Sequence, residues 1–364
     1  MILFMEYSGK GKRGGERYNA RLHSFLVSKF PNTKPEKLTK IPLEISSPVK
    51  HARYSLGMVK NYNPDLVVLD ISSGCRNVLA VRWMKKRKKR VMVIVQGQRM
   101  EFKYDNALLK LVVHHCENYL LKNSDIVLVN SKFTASQVRK RVSMNVPVLI
   151  AYPGLWLSVM PSKKTNVLIE NKVRINLLFV GECTKVKGLK FLIEALCFLK
   201  DLDFGLDIVG WYSPDSPYFR NIATIISRNN LDEKVRFHGF VDNHSLFDFY
   251  AKCTILVMPS LSEGYGMVLA EALCFGLPIV ASKAGAIPEM VVDGVNAILV
   301  KPGDSQALAE AIRALASDRA LREKMSKANL ERSKTLPQWD DFDRVLETRL
   351  GPIIENLTGL KPGL

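Results

Sequence analysis

The strongest constraint on this 364-residue chain is its rhythm. Short runs rich in Val, Ile and Leu alternate with amphipathic stretches of helix length nearly from end to end. Parallel sheets with crossover helices require this alternation, because a strand covered on both faces reads as a continuous apolar run. The first series predicts strands at Ile2–Tyr7, Leu66–Asp70, Val91–Val95, Ile126–Val129 and Val148–Ala151, with helices over Glu16–Phe30, Asn106–Lys122 and Phe133–Arg141. A second series then restarts with strands at Ile175–Val180, Phe204–Val209, Val235–Phe237, Ile255–Met258, Ile279–Ala281 and Ala297–Val300. Its helices fall at Leu189–Lys200, Tyr218–Asn229, Ser245–Ala251, Met267–Phe275 and Ser305–Ser317. One doubly wound sheet rarely needs so many strands, whereas two domains do, and the length suits two. The chain therefore reads as α/β with two Rossmann-like doubly wound domains, residues 1–165 and 166–338, and an amphipathic helix over 339–356 that joins the first. The polar stretch Ser162–Asn166, after Pro161, is the expected linker.

A composition of 47 % hydrophobic and 24 % charged residues excludes a disordered or fibrous chain. No window approaches the ~18 unbroken apolar residues of a spanning helix, and Pro147, Pro153 and Pro161 interrupt the uncharged stretch from Val142 to Ser162. The Met1–Met5 start is too short for a signal peptide and has its charges on the wrong side, so a cytoplasmic protein is expected. The six cysteines are scattered with no CxxC pair, which favours reduced, mostly buried thiols.

The densest chemistry lies in residues 259–278, where Glu263 precedes a glycine-containing loop and Glu271 lies more than a turn inside the following helix. The N–H groups of Gly266, Met267 and Val268 would face an anion, with the helix dipole behind them. Eight helical residues span roughly 12 Å, so the two carboxylates can accept hydroxyls at opposite ends of a ligand whose diphosphate sits between them. Polyhydroxyl recognition fits this pattern better than metal binding.

This Glu-x7-Glu segment resembles the signature of the retaining nucleotide-sugar glycosyltransferases of the large group 1, family 4-like class with the GT-B fold. The resemblance covers most of residues 173 to 318. It implies two Rossmann-like domains facing across a cleft, with the donor on the C-terminal one and the acceptor on the N-terminal one. By that resemblance Glu271 holds the ribose hydroxyls, Glu263 contacts the donor sugar, and Gly266, Met267 and Val268 cradle the diphosphate. Gly181 and Lys187 match a Gly-Arg…Lys-Gly loop in which the lysine neutralises the leaving diphosphate, so Lys187 and Glu263 are the expected catalytic residues. Gly239 and Val241 fall beside the base, Ala284–Glu289 on the family's Gly-Gly-x-Pro-Glu, and Gly14-Gly15 on the glycine pair ahead of the first helix. The sequence departs from the pattern at Glu182, where an arginine is usual and Lys185 would substitute. It departs again at Gln96, where a histidine near the donor sugar is usual, and at Ala286, where a glycine is usual.

No Asp-x-Asp motif ends a strand, and His23, His51, His114, His115, His238 and His244 lack metal-ligand company. The resemblance implies a reaction with no metal and no cofactor, the nucleotide sugar (UDP- or GDP-linked) being a co-substrate.

The net charge of +18 is not spread evenly: residues 1–165 hold thirty cations against ten carboxylates, while residues 166–364 hold 23 against 25. Arg82, Lys85, Lys86, Arg87, Lys88, Lys89 and Arg90 crowd into nine residues beside Trp83. Either this run is a solvated helix end, or it meets an anionic surface. The expected partner is an anionic membrane at the cytoplasmic face, bringing a lipid or lipid-linked acceptor. A soluble acceptor, a nucleic-acid-binding protein and a silent nucleotide-sugar binder are the alternatives. Nucleic acid is disfavoured because no helix-turn-helix, zinc, RNP or OB signature accompanies the charge.

Overall fold

The computed structural model describes residues 1–6, 14–31, 33–37, 48–97, 106–155 and 174–361. They form two units: residues 1–154 together with 337–364, and residues 155–336. The expected boundary at residue 165 lies outside the described residues.

The first unit is built on a six-stranded parallel sheet in the order β2-β1-β3-β4-β5-β6. Its strands are β1 (Ile2–Glu6), β2 (Thr33–Lys37), β3 (Leu66–Asp70), β4 (Arg90–Val95), β5 (Ile126–Val129) and β6 (Val148–Ile150). Helices α1 (Gly14–Lys29), α2 (Pro48–Tyr62), α3 (Val78–Lys86), α4 (Ala107–Lys122) and α5 (Lys132–Arg139) connect them, and a 3-10 segment over Ile71–Asn77 precedes α3. Successive strand residues point to opposite faces, so each strand feeds two cores. Leu3, Val67, Leu69, Val91 and Val93 pack with Val59 of α2, Val81 and Met84 of α3 and Leu120 and Leu121 of α4. Ile2, Phe4, Leu66, Val68, Met92 and Ile94 pack on the other face, with Tyr18, Leu22 and Leu26 of α1.

That second core is completed from the far end of the chain, by Phe342, Leu346, Leu350 and Ile354. The tail expected as one helix is α13 (Trp339–Val345), a π-helical turn over Leu346–Leu350, and then α14 (Gly351–Thr358).

The second unit has strands β7 (Ile175–Val180), β8 (Phe204–Val209), β9 (Val235–Gly239), β10 (Ile255–Met258), β11 (Ile279–Ser282) and β12 (Ile298–Val300). Its helices are α6 (Leu189–Leu196), α7 (Pro217–Arg228), α8 (Asn243–Lys252), α9 (Met267–Cys274), α10 (Ile287–Met290), α11 (Ser305–Ser317) and α12 (Arg319–Ser333). The strand order β12-β11-β10-β7-β8-β9 is the Rossmann order, with its reversal between β7 and β10. The first sheet has the flavodoxin-like order instead, reversing between β1 and β3.

Four helices, α2, α3, the short α10 and α12, and the edge strand β2 were not anticipated. The basic run over 82–90 is also divided rather than being one free patch. Lys85 and Arg90 pair with Asp125 at 2.9 and 3.2 Å, and Lys89 pairs with Asp65 at 2.8 Å, which also binds the Met1 amine. These three cations neutralise carboxylates that precede β3 and β5, at the amino edge of the sheet. Ligands of doubly wound sheets bind at the opposite edge, so the run is not an acceptor subsite within this sheet. Arg82, Lys86, Arg87 and Lys88 remain on the surface, with the Arg87 guanidinium 4.2 Å over the Trp83 ring.

All six cysteines are free thiols; Cys183 and Cys274 are buried and the other four are partly exposed. Among the described residues, no helix is long and apolar enough to cross a membrane.

Candidate functional site

The site residues of the second unit converge at the carboxyl edge of its sheet, on both sides of the reversal between β7 and β10. Beyond β7 a 3-10 turn over Lys185–Lys187 leads into Gly188, the N-cap of α6. Gly188 holds φ +71°, and a side chain there would overlap the carbonyl of Pro259, so only glycine lets these two loops approach. The Leu261 N–H donates to the Val186 carbonyl at 2.8 Å, tying the same loops together. The result places the Lys187 ammonium 2.7 Å from Glu263 Oε2, with Lys187 23 % and Glu263 12 % exposed. The Ser260 hydroxyl lies 3.4 Å from the same oxygen, and the Ala286 N–H fixes the Glu263 carbonyl at 2.9 Å.

Two helix N-termini open beside this ion pair. Helices α7, α8, α11 and α12 are capped by the side chains of Ser216, Asp242, Asp304 and Asp318. Helices α6 and α9 are capped instead by Gly188 and Gly266, both left-handed, which bring no side-chain acceptor. At α9 the N–H groups of Met267 and Val268 therefore keep their capacity for an external anion, which the helix dipole favours; at α6 the Lys190 N–H is taken by the Tyr218 hydroxyl at 3.1 Å.

Inside α9, Glu271 is buried, and the Tyr250 hydroxyl of α8 donates to its Oε2 at 2.7 Å. Burial and the neighbouring carboxylate hold the Tyr250 phenol well above its ordinary pKa. The Tyr250 ring lies against Phe275, centroids 5.2 Å apart. Sequence reasoning missed Tyr250 because nothing in a single sequence links it to a residue 21 positions later.

The other expected residues fall as follows. Gly239 ends β9 at φ +67° with Val241 two residues on, and Gly181 directly follows β7. Lys185 is exposed on its 3-10 turn and Glu182 is half-buried. Ala286, in place of the usual glycine, has φ −84°, ordinary for alanine; the left-handed position is Gly285.

In the first unit, Gly14 and Gly15 open α1. Gln96, just beyond β4, donates to Asn19 at 2.7 Å and to Asp70 at 3.3 Å, and Asn19 donates to Asp70 at 3.0 Å. Asn130 donates to the Gln96 carbonyl at 2.7 Å. Asn19, Asp70 and Asn130 were not anticipated. Asp70 ends β3 and Asn19 lies on the helix after β1, so they flank the reversal of the first sheet. Gln96 is thereby held as part of a network rather than as a lone polar residue.

A separate cavity of about 330 Å³ lies beside β7, β8 and β9, where Asp207 accepts from His238 at 2.7 Å and Arg236 at 3.0 Å. None of the expected site residues lines it. Among the described residues, no three of His, Cys, Asp or Glu converge as metal ligands.

Residues 162–332 match the sequence profile of the glycosyl transferases, group 1. This stretch is a group 1 glycosyl transferase domain. Every second-unit residue expected from the Glu-x7-Glu pattern lies inside the group 1 segment. A D-inositol 3-phosphate glycosyltransferase of Arthrobacter sp. (strain FB24) is 30 % identical over 187 residues, which are 49 % of this chain and 44 % of that protein. An uncharacterized glycosyltransferase of Methanocaldococcus jannaschii is 29 % identical over 217 residues, 59 % of this chain and 56 % of its own length. The match thus spans about half the length of such relatives. Over whole structures, the sucrose-phosphate synthase of Thermosynechococcus elongatus superposes with a TM-score of 0.76 at 20 % identity, covering 98 % of this chain and 99 % of the other. Anabaena HepE in complex with UDP-glucose gives 0.72 at 20 % identity, covering 95 % and 98 %. At such identities the likeness establishes the fold, the two-domain GT-B architecture, across both units.

Proposed function

We propose that the chain transfers a hexose from a UDP- or GDP-linked donor to an acceptor hydroxyl, with retention of anomeric configuration and without a metal ion. The observation that carries this reading is the Lys187–Glu263 pair, 2.7 Å apart between two glycine-capped helix N-termini at the reversal of the sheet. That arrangement offers a cation and helix-end amides to a diphosphate, and a carboxylate to sugar hydroxyls. Glu271, anchored by Tyr250, would take the ribose. The HepE complex with UDP-glucose supports a uridine donor.

In the proposed step the bond from the anomeric carbon to the diphosphate breaks while the acceptor oxygen bonds the same carbon on the same face. The acceptor proton passes to a phosphate oxygen. Lys187 and the two helix dipoles stabilise the charge gathering on the leaving diphosphate, an effect strongest in the transition state. The N-terminal unit would present the acceptor, with the Asn19–Asp70–Gln96 network at its sheet reversal. We assign the acceptor to a lipid or lipid-linked glycan at a membrane surface, on the strength of the +20 charge of residues 1–165.

Thermal-shift measurements with UDP-, GDP- and ADP-sugars should show selective stabilisation by one base, followed by slow donor hydrolysis that survives EDTA and stops in Glu271→Ala. No stabilisation by any nucleotide sugar would overturn the donor assignment. Binding without turnover toward any hydroxyl acceptor would overturn the catalytic one.

A further inference from the structure

The exposed positions of α3 and α4 carry leucine, valine, alanine, histidine, lysine and arginine, and no carboxylate. Leu108, Leu109, Leu111 and Val112 are 69, 42, 54 and 46 % exposed in the first half of α4. Leu108, Leu111, Val112 and His115 follow helical i, i+3, i+4, i+7 spacing on one stripe, while Val113, Glu117, Leu120 and Leu121 on the other side are buried. Leu79 at the start of α3 is also exposed, and Arg82, Trp83 and Lys86 continue its face before Arg87 and Lys88. The two helices pack against each other on the same face of the sheet. Both run from the carboxyl edge of the sheet to its amino edge, so the apolar residues gather at one end and the free cations at the other. From Ile71 to Val95 the sequence holds no acidic residue, and the one acid of α4, Glu117, is buried against Arg141.

We propose that this α3–α4 face seats on an anionic lipid bilayer. Leu108, Leu111 and Val112 enter the apolar boundary, and Arg82, Lys86, Arg87 and Lys88 meet headgroup phosphates. A wholly apolar face would suit a second protein chain, and a wholly basic one a nucleic acid; a face with an apolar zone at one end, cations at the other and no carboxylate exposed on either helix suits a surface that is greasy beneath and anionic above. The Arg87–Trp83 stack adds an aromatic at the border between the two zones. The inference deepens the reading of a membrane-borne acceptor and rests on it. It moves the inserting element from the cation run to α4, and it removes Lys85, Lys89 and Arg90 from the contact because they hold Asp125 and Asp65.

The test is sedimentation of the full chain with vesicles of phosphatidylcholine alone and of phosphatidylcholine with an equal part of phosphatidylglycerol. Wild type should pellet with the anionic vesicles only, and less so as salt rises. Leu108→Glu/Leu111→Glu/Val112→Glu should lower vesicle affinity at least about tenfold. Arg82→Glu/Lys86→Glu/Lys88→Glu should lower it by about fivefold or more for each charge changed. Both variants should keep the wild-type Tm and nucleotide-sugar stabilisation, since they alter only exposed side chains. Equal pelleting of either variant would overturn the proposal. So would duplex DNA binding that outcompetes the vesicles, or a concentration-dependent dimer that the leucine variant dissolves. If nucleotide sugars fail to stabilise the protein while vesicle binding holds, the donor reading falls and this one stands.

Discussion

Replacing Tyr250 by phenylalanine would remove one oxygen from the interior of the second unit and leave the ring packed against Phe275. That oxygen donates to Glu271 at 2.7 Å from a fully buried position. A hydrogen bond to a charged group contributes about 1.5–3 kcal/mol, and its loss here leaves a carboxylate with one donor fewer in an interior that solvates it poorly. Taking about 2 kcal/mol, and about 2–4 °C per kcal/mol for a unit of this size, the Tm of Tyr250→Phe should fall by about 4–8 °C. The functional effect is separate: Glu271 loses the contact that, in the proposed reading, aims it at the ribose. The Kd for the nucleotide should therefore rise about tenfold, equivalent to about 1.4 kcal/mol. KM for the donor should rise with it, while kcat changes little, because the ribose hydroxyls are not at the reacting bond. Calorimetric titration with the preferred nucleotide sugar and its nucleoside diphosphate, beside differential scanning fluorimetry, reads both effects. A Tm within about a degree of wild type and a Kd within about twofold would refute the reasoning, since the carboxylate would then owe neither stability nor aim to Tyr250.

Lys187→Ala should cut donor turnover by about 10²–10³-fold with a smaller change in KM, because its charge counts most as the diphosphate leaves; steady-state hydrolysis of the nucleotide sugar measures it. Gly188→Ala forces a Cβ against the Pro259 carbonyl at a left-handed φ and should cost upwards of about 2 kcal/mol, seen as a lower urea midpoint, whereas Ala286→Gly should change the midpoint little. Asp125→Ala strips the partner from Lys85, Arg90 and the Val91 N–H together and should destabilise the first unit by about 2–4 kcal/mol in chemical denaturation. Burial pushes the Cys183 and Cys274 thiols up to about 11. Unfolded thiols ionise near pH 9 while the native ones keep their protons, so this contribution is intact below about pH 9 and is lost as pH rises toward 11. Denaturation midpoints across that window should fall more steeply for wild type than for Cys183→Ala/Cys274→Ala.

What the sequence disclosed follows from what is local in it. Central strands such as β4, β5, β7 and β10 are covered on both faces and so appear as unbroken apolar runs. The strand Thr33-Lys-Pro-Glu-Lys37 escaped notice because it pairs with β1 at an edge, and four of its five residues are polar around Pro35. Helix α3 was hidden by its own cations, whose charge masked the buried Ala80, Val81 and Met84. At the site, Glu263, Gly266 and Glu271 could be read together because nine residues hold them all. Tyr250 and the Asn19–Asp70–Gln96 network could not, because folding brings together residues far apart in the chain. The charge run shows the opposite failing: seven neighbouring cations looked equivalent until Asp65 and Asp125 claimed three of them.

The first unit closes one of its two cores with Phe342, Leu346, Leu350 and Ile354, and Arg90 donates to the Leu357 carbonyl at 3.1 Å, so its interior waits on residues synthesised after the whole of the second unit. On the ribosome the usual order of assembly is therefore inverted. The later-numbered unit, contiguous over 155–336, can bury its core as it emerges, while the sheet begun at Ile2 stays open on one face until the last helices arrive. During that interval Phe4, Leu22 and Met92 lack part of their cover. A chain truncated after Leu336 should hold a folded second unit and a protease-sensitive first one.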